Sequence, residues 1–174
     1  MKASDVFVLS GLLAHAGDWT YRSLAGDLCV SHPVVQRALA RADAAGLYDP
    51  ERREVHLPHF EEFAVHALRF VAPAELGALV PGVPAAWAAE PVASAIRSAG
   101  EDLPPVWPYA VGRVRGQAIE PLHSAAPEAV EQWPELAEWL AVLDSLRAGD
   151  TRVRQVAEEL LYGTLRERAL TGHR

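Results

Sequence analysis

Residues 19–48, WTYRSLAGDLCVSHPVVQRALARADAAGLY, read as two short helices joined by a tight turn, the second closed by a glycine. Thr20 is placed to cap the first helix, because a hydroxyl just before a helical run accepts an otherwise orphaned amide hydrogen bond. Leu24 and Leu28 lie four apart on one face, and the small Ala25 between them lets a second helix approach closely. Cys29-Val30 makes the turn. Ser31 is placed to cap the next helix, with Pro33 in its first turn, where a missing amide costs nothing. Val35, Leu39 and Ala42 recur at helical spacing with Ala38 beside them, so they form the buried stripe. Gly46 suits the left-handed position just past a helix end, and Leu47 folds back onto the core.

The opposite face of the second helix carries Pro33, Gln36, Arg37, Ala40 and Arg41. Arginine and glutamine suit base edges and phosphates in a major groove. DPERREVHL follows Tyr48. Asp49-Pro50 starts a turn, Arg52 and Arg53 lie near its tip, and Glu54 to Leu57 can return as a strand. The order is helix, strand, basic tip, strand.

On these residues, positions 4–58 resemble the winged helix-turn-helix domain of small bacterial transcriptional regulators of the MarR-like kind. WTYRSLAGDL, VSHPVVQRALARADAAGL and the basic tip carry the resemblance. The whole chain also resembles a bacterial family of similar length, in which this domain is followed by a Pro-rich middle and two terminal helices; that family contributes no activity. The domain resemblance implies a sequence-specific DNA-binding regulator of the cytoplasm, acting as a homodimer on double-stranded DNA. Ser31, His32, Gln36, Arg37 and Arg41 are then expected at the groove and its rim. Arg52 and Arg53 are expected at a phosphate or in the minor groove. Two-fold operators and steep salt dependence would follow.

Composition opposes part of this. The formal net charge is -7. In residues 1–57, six basic side chains (Lys2, Arg22, Arg37, Arg41, Arg52, Arg53) face seven acidic ones. Phosphate neutralisation dominates DNA affinity, so the case for DNA rests on where the arginines lie. The alternative is a protein-interaction module, antitoxin-like or adaptor, that uses the winged helix and the C-terminal helices to hold a protein partner. Of the 174 residues, 50% are hydrophobic. No apolar run reaches the length of a membrane span. One cysteine precludes an internal disulfide and fits a reducing compartment.

Elsewhere the pattern predicts a mainly α chain in three segments: residues 1–70, the winged helix-turn-helix and a following helix; 71–125, Pro- and Trp-rich and irregular; and 126–174, a helical hairpin. Ser4 is placed to cap a first helix to about His15, with Val6, Leu9, Leu12 and Leu13 on its apolar face and Asp5 interrupting the run. Trp19 should pack against that helix. Pro58-His59 open a helix to about Phe70. In 71–122, Pro73, Pro81, Pro84, Pro91, Pro104, Pro105, Pro108 and Pro121 break helices, leaving a short helix over Glu90 to Ala99 and one or two strands around Arg113 and Arg115. Trp87, Trp107 and Tyr109 fill core or line a pocket. Pro127 to Gln132 reads as a helical turn and Pro134 to Arg147 as a helix. A last helix is capped by Asp150 or Thr151, and its broad apolar face could meet a second copy.

Motifs for nucleophilic, phosphate-binding, zinc-protease or dithiol chemistry are missing, so no enzyme and no cofactor is expected. Cys29-x-x-His32 and His56-x-x-His59 together offer four zinc-ligand types. The positions argue against a metal, because Cys29 lies in the turn and His32 starts the groove-facing helix.

Overall fold

The computed structural model describes residues 1–96 and 103–171. Two helices far apart in sequence are enclosed by the rest: α1 (Ala3–Ala14) and α8 (Pro134–Ala148). Every residue from Asp5 to Leu13, and from Trp139 to Arg147, is buried. α1 was expected to bury one apolar stripe. Its run of Val, Phe and Leu is apolar all round, as an enclosed helix requires. The buried serines are satisfied within their own helices: Ser10 Oγ donates to the Val6 carbonyl and Ser145 Oγ to that of Ala141, each at 2.8 Å. Gly11 sets how closely α2 can pack, since a Cβ there would lie 2.9 Å from Leu28 Cδ2. Lys2, not Ser4, is the N-cap of α1, and the Asp5 carboxylate accepts the Lys2 amide at 2.8 Å.

Against α1 lie α2 (Tyr21–Asp27) and α3 (His32–Ala44). Thr20 and Ser23 form a reciprocal capping box, with bonds of 3.0 and 2.9 Å. Cys29 takes φ 54° in the turn. Leu24, Ala25 and Leu28 are buried with Val35, Ala38, Leu39 and Ala42. Gly46 has φ 72°, and the Leu47 amide reaches back to the Ala42 carbonyl at 2.8 Å, closing α3 as expected. A short antiparallel pair follows, β1 (Tyr48–Asp49) and β2 (Glu54–Val55). β2 stops short of the expected Leu57 because α4 (Leu57–His66) already begins there. The expected single helix to Phe70 is divided at Ala67 into α4 and α5 (Leu68–Val71).

The middle segment holds two strands where one or two were expected over 104–122, β4 (Pro105–Pro108) and β5 (Val114–Ala118), and a further, unexpected strand upstream, β3 (Leu79–Pro84). β3 pairs antiparallel with both others, β4 and β5 pair in parallel, and the three close into a ring. Val106 of β4 is fully buried in it. Glycine faces it on both sides: a Cβ on Gly82 or Gly116 would come within 2.9 or 2.8 Å of Val106. Two prolines and a glycine hid β3, since both residue types weaken a strand pattern. The expected helix from Glu90 appears as α6 (Val92–Ala95); positions 97–99 lie outside the described residues.

α7 (Ala126–Gln132) leads into α8, and α9 (Thr151–Thr171) returns along it. Asp150 Oδ1 accepts the Val153 amide at 2.8 Å as the cap of α9. Val153, Ala157, Leu161 and Leu165 of α9 are buried within the chain, while Arg152, Gln155, Glu159 and Arg166 are exposed. The apolar breadth of this helix is therefore used against α8, α4 and α6. Arg168 donates to the Leu12 and His15 carbonyls, both at 3.1 Å, and so closes the C-terminal end of α1 with a cation. Among the described residues no helix is long and apolar enough to cross a membrane.

Trp107 is core, and its indole shows how the three segments are joined. Its Nε1–H donates to Asp144 Oδ2 at 2.6 Å, and Arg147 Nε donates to Asp144 Oδ1 at 2.8 Å. Arg147 also donates to the Ala72 carbonyl at 3.1 Å and to that of Glu120. Burial pushes the Asp144 carboxyl up, and the Arg147 charge and the two hydrogen bonds oppose that. Replacing Arg147 by Met leaves a buried carboxyl without its cation. The expected loss of stability is about 3–5 kcal/mol, measured as a lower urea midpoint at unchanged slope.

His123 stacks on Phe7 of α1, with ring centroids 5.2 Å apart, and its Nδ1 accepts the Ala125 amide at 3.0 Å. Burial lowers its pKa from the ordinary 6.5. The unfolded chain then binds this proton at a pH where the folded chain does not. Stability from this group is complete above pH 6.5 and falls as pH drops below that value. The slope should approach, at most, about 1.4 kcal/mol per pH unit, and His123→Gln should remove it in urea titrations between neutral and mildly acidic pH.

Candidate nucleic-acid interface

The outward face of α3 is built by what its inward face buries. With Val35, Ala38, Leu39 and Ala42 fixed in the core, helical geometry turns His32, Pro33, Gln36, Arg37 and Ala40 to solvent. Ser31 occupies the N-cap position, but its side chain makes no capping bond. Gln36 and Arg37 are exposed, and among the described residues neither side chain has a hydrogen-bond or ion-pair partner. His32 is exposed and meets Tyr21 edge-on, with ring centroids 5.6 Å apart. Ser31, His32, Gln36 and Arg37 thus form one continuous polar surface at the start of α3.

Arg41 does not join them. Its guanidinium is turned inward onto Asp5 of α1, Nε to Oδ2 at 2.9 Å and a second nitrogen to Oδ1 at 2.5 Å. Asp5 is fully buried, and the Arg41 side chain keeps 36% of its exposure. The hydrogen bond to Asp5 raises the Arg41 pKa further, so its charge is fixed. Arg41 therefore holds α3 to α1. The clue was in the sequence: an aspartate inside the most apolar helix needs a cation from elsewhere.

The two arginines of the tip also differ. Arg52 is 80% exposed, with Asp49 at 3.8 Å. Arg53 is folded back, donating to the Trp19 carbonyl at 2.7 Å with its guanidinium 4.3 Å above the indole. The Trp19 Nε1–H returns a bond to the Arg53 carbonyl at 3.3 Å. Trp19 was expected to pack against α1. It packs partly on the core and also carries this contact.

The cysteine and histidines take structural parts. Burial, then Glu128 and Asp27, raise the Cys29 thiol above its ordinary pKa, which favours the unreactive protonated form. His56 and His59 stack with centroids 3.6 Å apart. His56 Nδ1 accepts the His59 amide at 3.3 Å, capping α4, and His59 Nδ1–H donates to the Gly46 carbonyl at 2.8 Å beyond the end of α3. Among the described residues no group of three or more His, Cys, Asp or Glu side chains is arranged to hold a metal ion, so Cys29, His32, His56 and His59 do not combine into a site.

Comparison of the chain with models of protein families, with curated proteins and with solved structures returns no match.

Arg37 and Arg41, four apart on one helix, should separate cleanly. Arg41→Ala strands a buried carboxylate and should cost about 2 kcal/mol, less than a fully enclosed pair because Arg41 is partly solvated. Arg37→Ala should leave thermal unfolding unchanged within about 0.5 kcal/mol, as for an unpartnered surface side chain. Calorimetric unfolding of the two variants at neutral pH reads this contrast.

Proposed function

We propose that residues 3–55 are a winged helix-turn-helix that reads double-stranded DNA, making the chain a sequence-specific transcriptional regulator. The observation that carries this is the unpartnered Gln36 and Arg37 pair on the outward face of α3, flanked by Ser31 and His32. Two planar, multiply bonding side chains one helical step apart match the paired donors and acceptors of base edges. Ser31, His32, Gln36 and Arg37 would meet the major groove, and Arg52 a flanking phosphate. Arg41 contributes by holding the helix to its support. With Arg41 and Arg53 engaged inside the chain, each copy has few cations for phosphates. Affinity must come largely from base contacts and from two copies on a two-fold site.

A protein-binding function has its own support in the -7 net charge and in the carboxylates of Asp27 and Glu128 near the Cys29 turn. An acidic surface of this kind suits a basic partner.

Electrophoretic shift with the chain's own upstream DNA, against an unrelated duplex over a salt series, separates the two. DNA reading predicts a selective shift and a shallow log–log salt slope, about -0.9 per phosphate engaged. Arg37→Ala should lose about tenfold or more in affinity and relax specificity at one base pair. No selective shift from folded protein would leave the partner-binding function.

A further inference from the structure

The β1–β2 pair is too small to hold its own tip. It has two residue pairs, Tyr48 with Val55 and Asp49 with Glu54, and an isolated two-stranded hairpin is marginal in water. Within the tip, Asp49 Oδ1 accepts the Glu51 and Arg52 amides at 2.9 and 3.1 Å, which sets the turn but does not fix it to the body. Arg53 moreover takes φ 59°, a left-handed conformation that an arginine adopts only when surrounding contacts impose it.

Those contacts come from Trp19, with the Tyr48 phenol of β1 also beside the guanidinium. Two reciprocal hydrogen bonds and the guanidinium over the indole join Arg53 to the residue just before the α2 cap. The connection continues: Trp19 meets Tyr21 edge-on at 5.5 Å, and Tyr21 meets His32 edge-on at 5.6 Å. An aromatic chain thus runs over the surface from the tip to the first residue of α3.

We propose that Trp19 and Arg53 are positioning residues that lock the β1–β2 tip to the start of α3, so that Arg52 and the His32–Gln36–Arg37 surface are presented as one rigid unit. The DNA part of this rests on the proposed function. Arg53 then neutralises no phosphate; it places Arg52, which does.

The test has an arm without DNA and an arm with it. In the free protein, amide hydrogen exchange of residues 51–54 should quicken about tenfold in Trp19→Leu, with the amides of α1 and α3 unchanged. Arg53→Asn, which tolerates the left-handed backbone but lacks the guanidinium, should do the same. Trp19→Phe, which keeps a ring beneath Arg53, should restore part of the protection. Unchanged exchange in Trp19→Leu and Arg53→Asn would overturn the lock. With DNA, Arg52→Ala should reduce the salt slope by about one, and Trp19→Leu should reduce it equally. The Trp19→Leu/Arg52→Ala double variant should bind no worse than either single one. Additive losses would overturn the positioning role, because damage unrelated to Arg52 adds to its removal. Absence of any selective shift from the wild-type chain would refute the DNA function, and the exchange arm would still decide the lock.

Discussion

The buried carboxylate of Asp144 constrains the whole molecule. A charge in the core has to be met by partners of fixed geometry. Here they come from distant parts of the chain. Trp107 approaches from β4 and Arg147 from the next turn of α8, and the remaining donors of Arg147 reach the carbonyls of Ala72 and Glu120. Those carbonyls are where the N-terminal segment ends and where the chain leaves β5. One guanidinium therefore holds both ends of the irregular middle segment against the last third of the sequence. The apolar core is continuous around it, drawing on α1, α3, α4, β4, α8 and α9.

A second buried carboxylate, Asp5 near the N-terminal end of α1, performs the same service. Arg41 joins it to α3 as Arg147 joins Asp144 to the middle segment. α1 is in this way both the support of α3 and a partner of α8. The helix that presents Gln36 and Arg37 is anchored by an ion pair to the most enclosed helix of the N-terminal half. Its orientation is part of the core and is not set by a loop.

Local rules placed α2, the turn, α3, the Gly46 stop and the α8–α9 hairpin. In each, the signal lies within a few residues: the cap at Thr20, the left-handed Gly46, the i, i+4 apolar pairs. What escaped were contacts between residues far apart in sequence. Arg37 and Arg41 are indistinguishable by spacing, and only the buried Asp5, 36 positions upstream of Arg41, draws one of them inward. Arg52 and Arg53 are adjacent, and only Trp19 distinguishes them. β3, and with it the closure of the ring, was obscured because its prolines and glycine read as breaks. At two glycines of the ring, Gly82 and Gly116, a Cβ would meet the Trp107 and Pro104 carbonyl oxygens first and Val106 next.

Closure of that ring has a consequence for association. An open sheet offers its outer strand as a template for another chain, through a row of amides and carbonyls that lack partners. Each of the three strands here pairs with both of the others over part of its length, which leaves no more than three consecutive residues of any strand without a neighbour on a given side. A partner strand therefore finds little edge to extend. A protein that recognises the middle segment would do so mainly through its side chains and connecting loops.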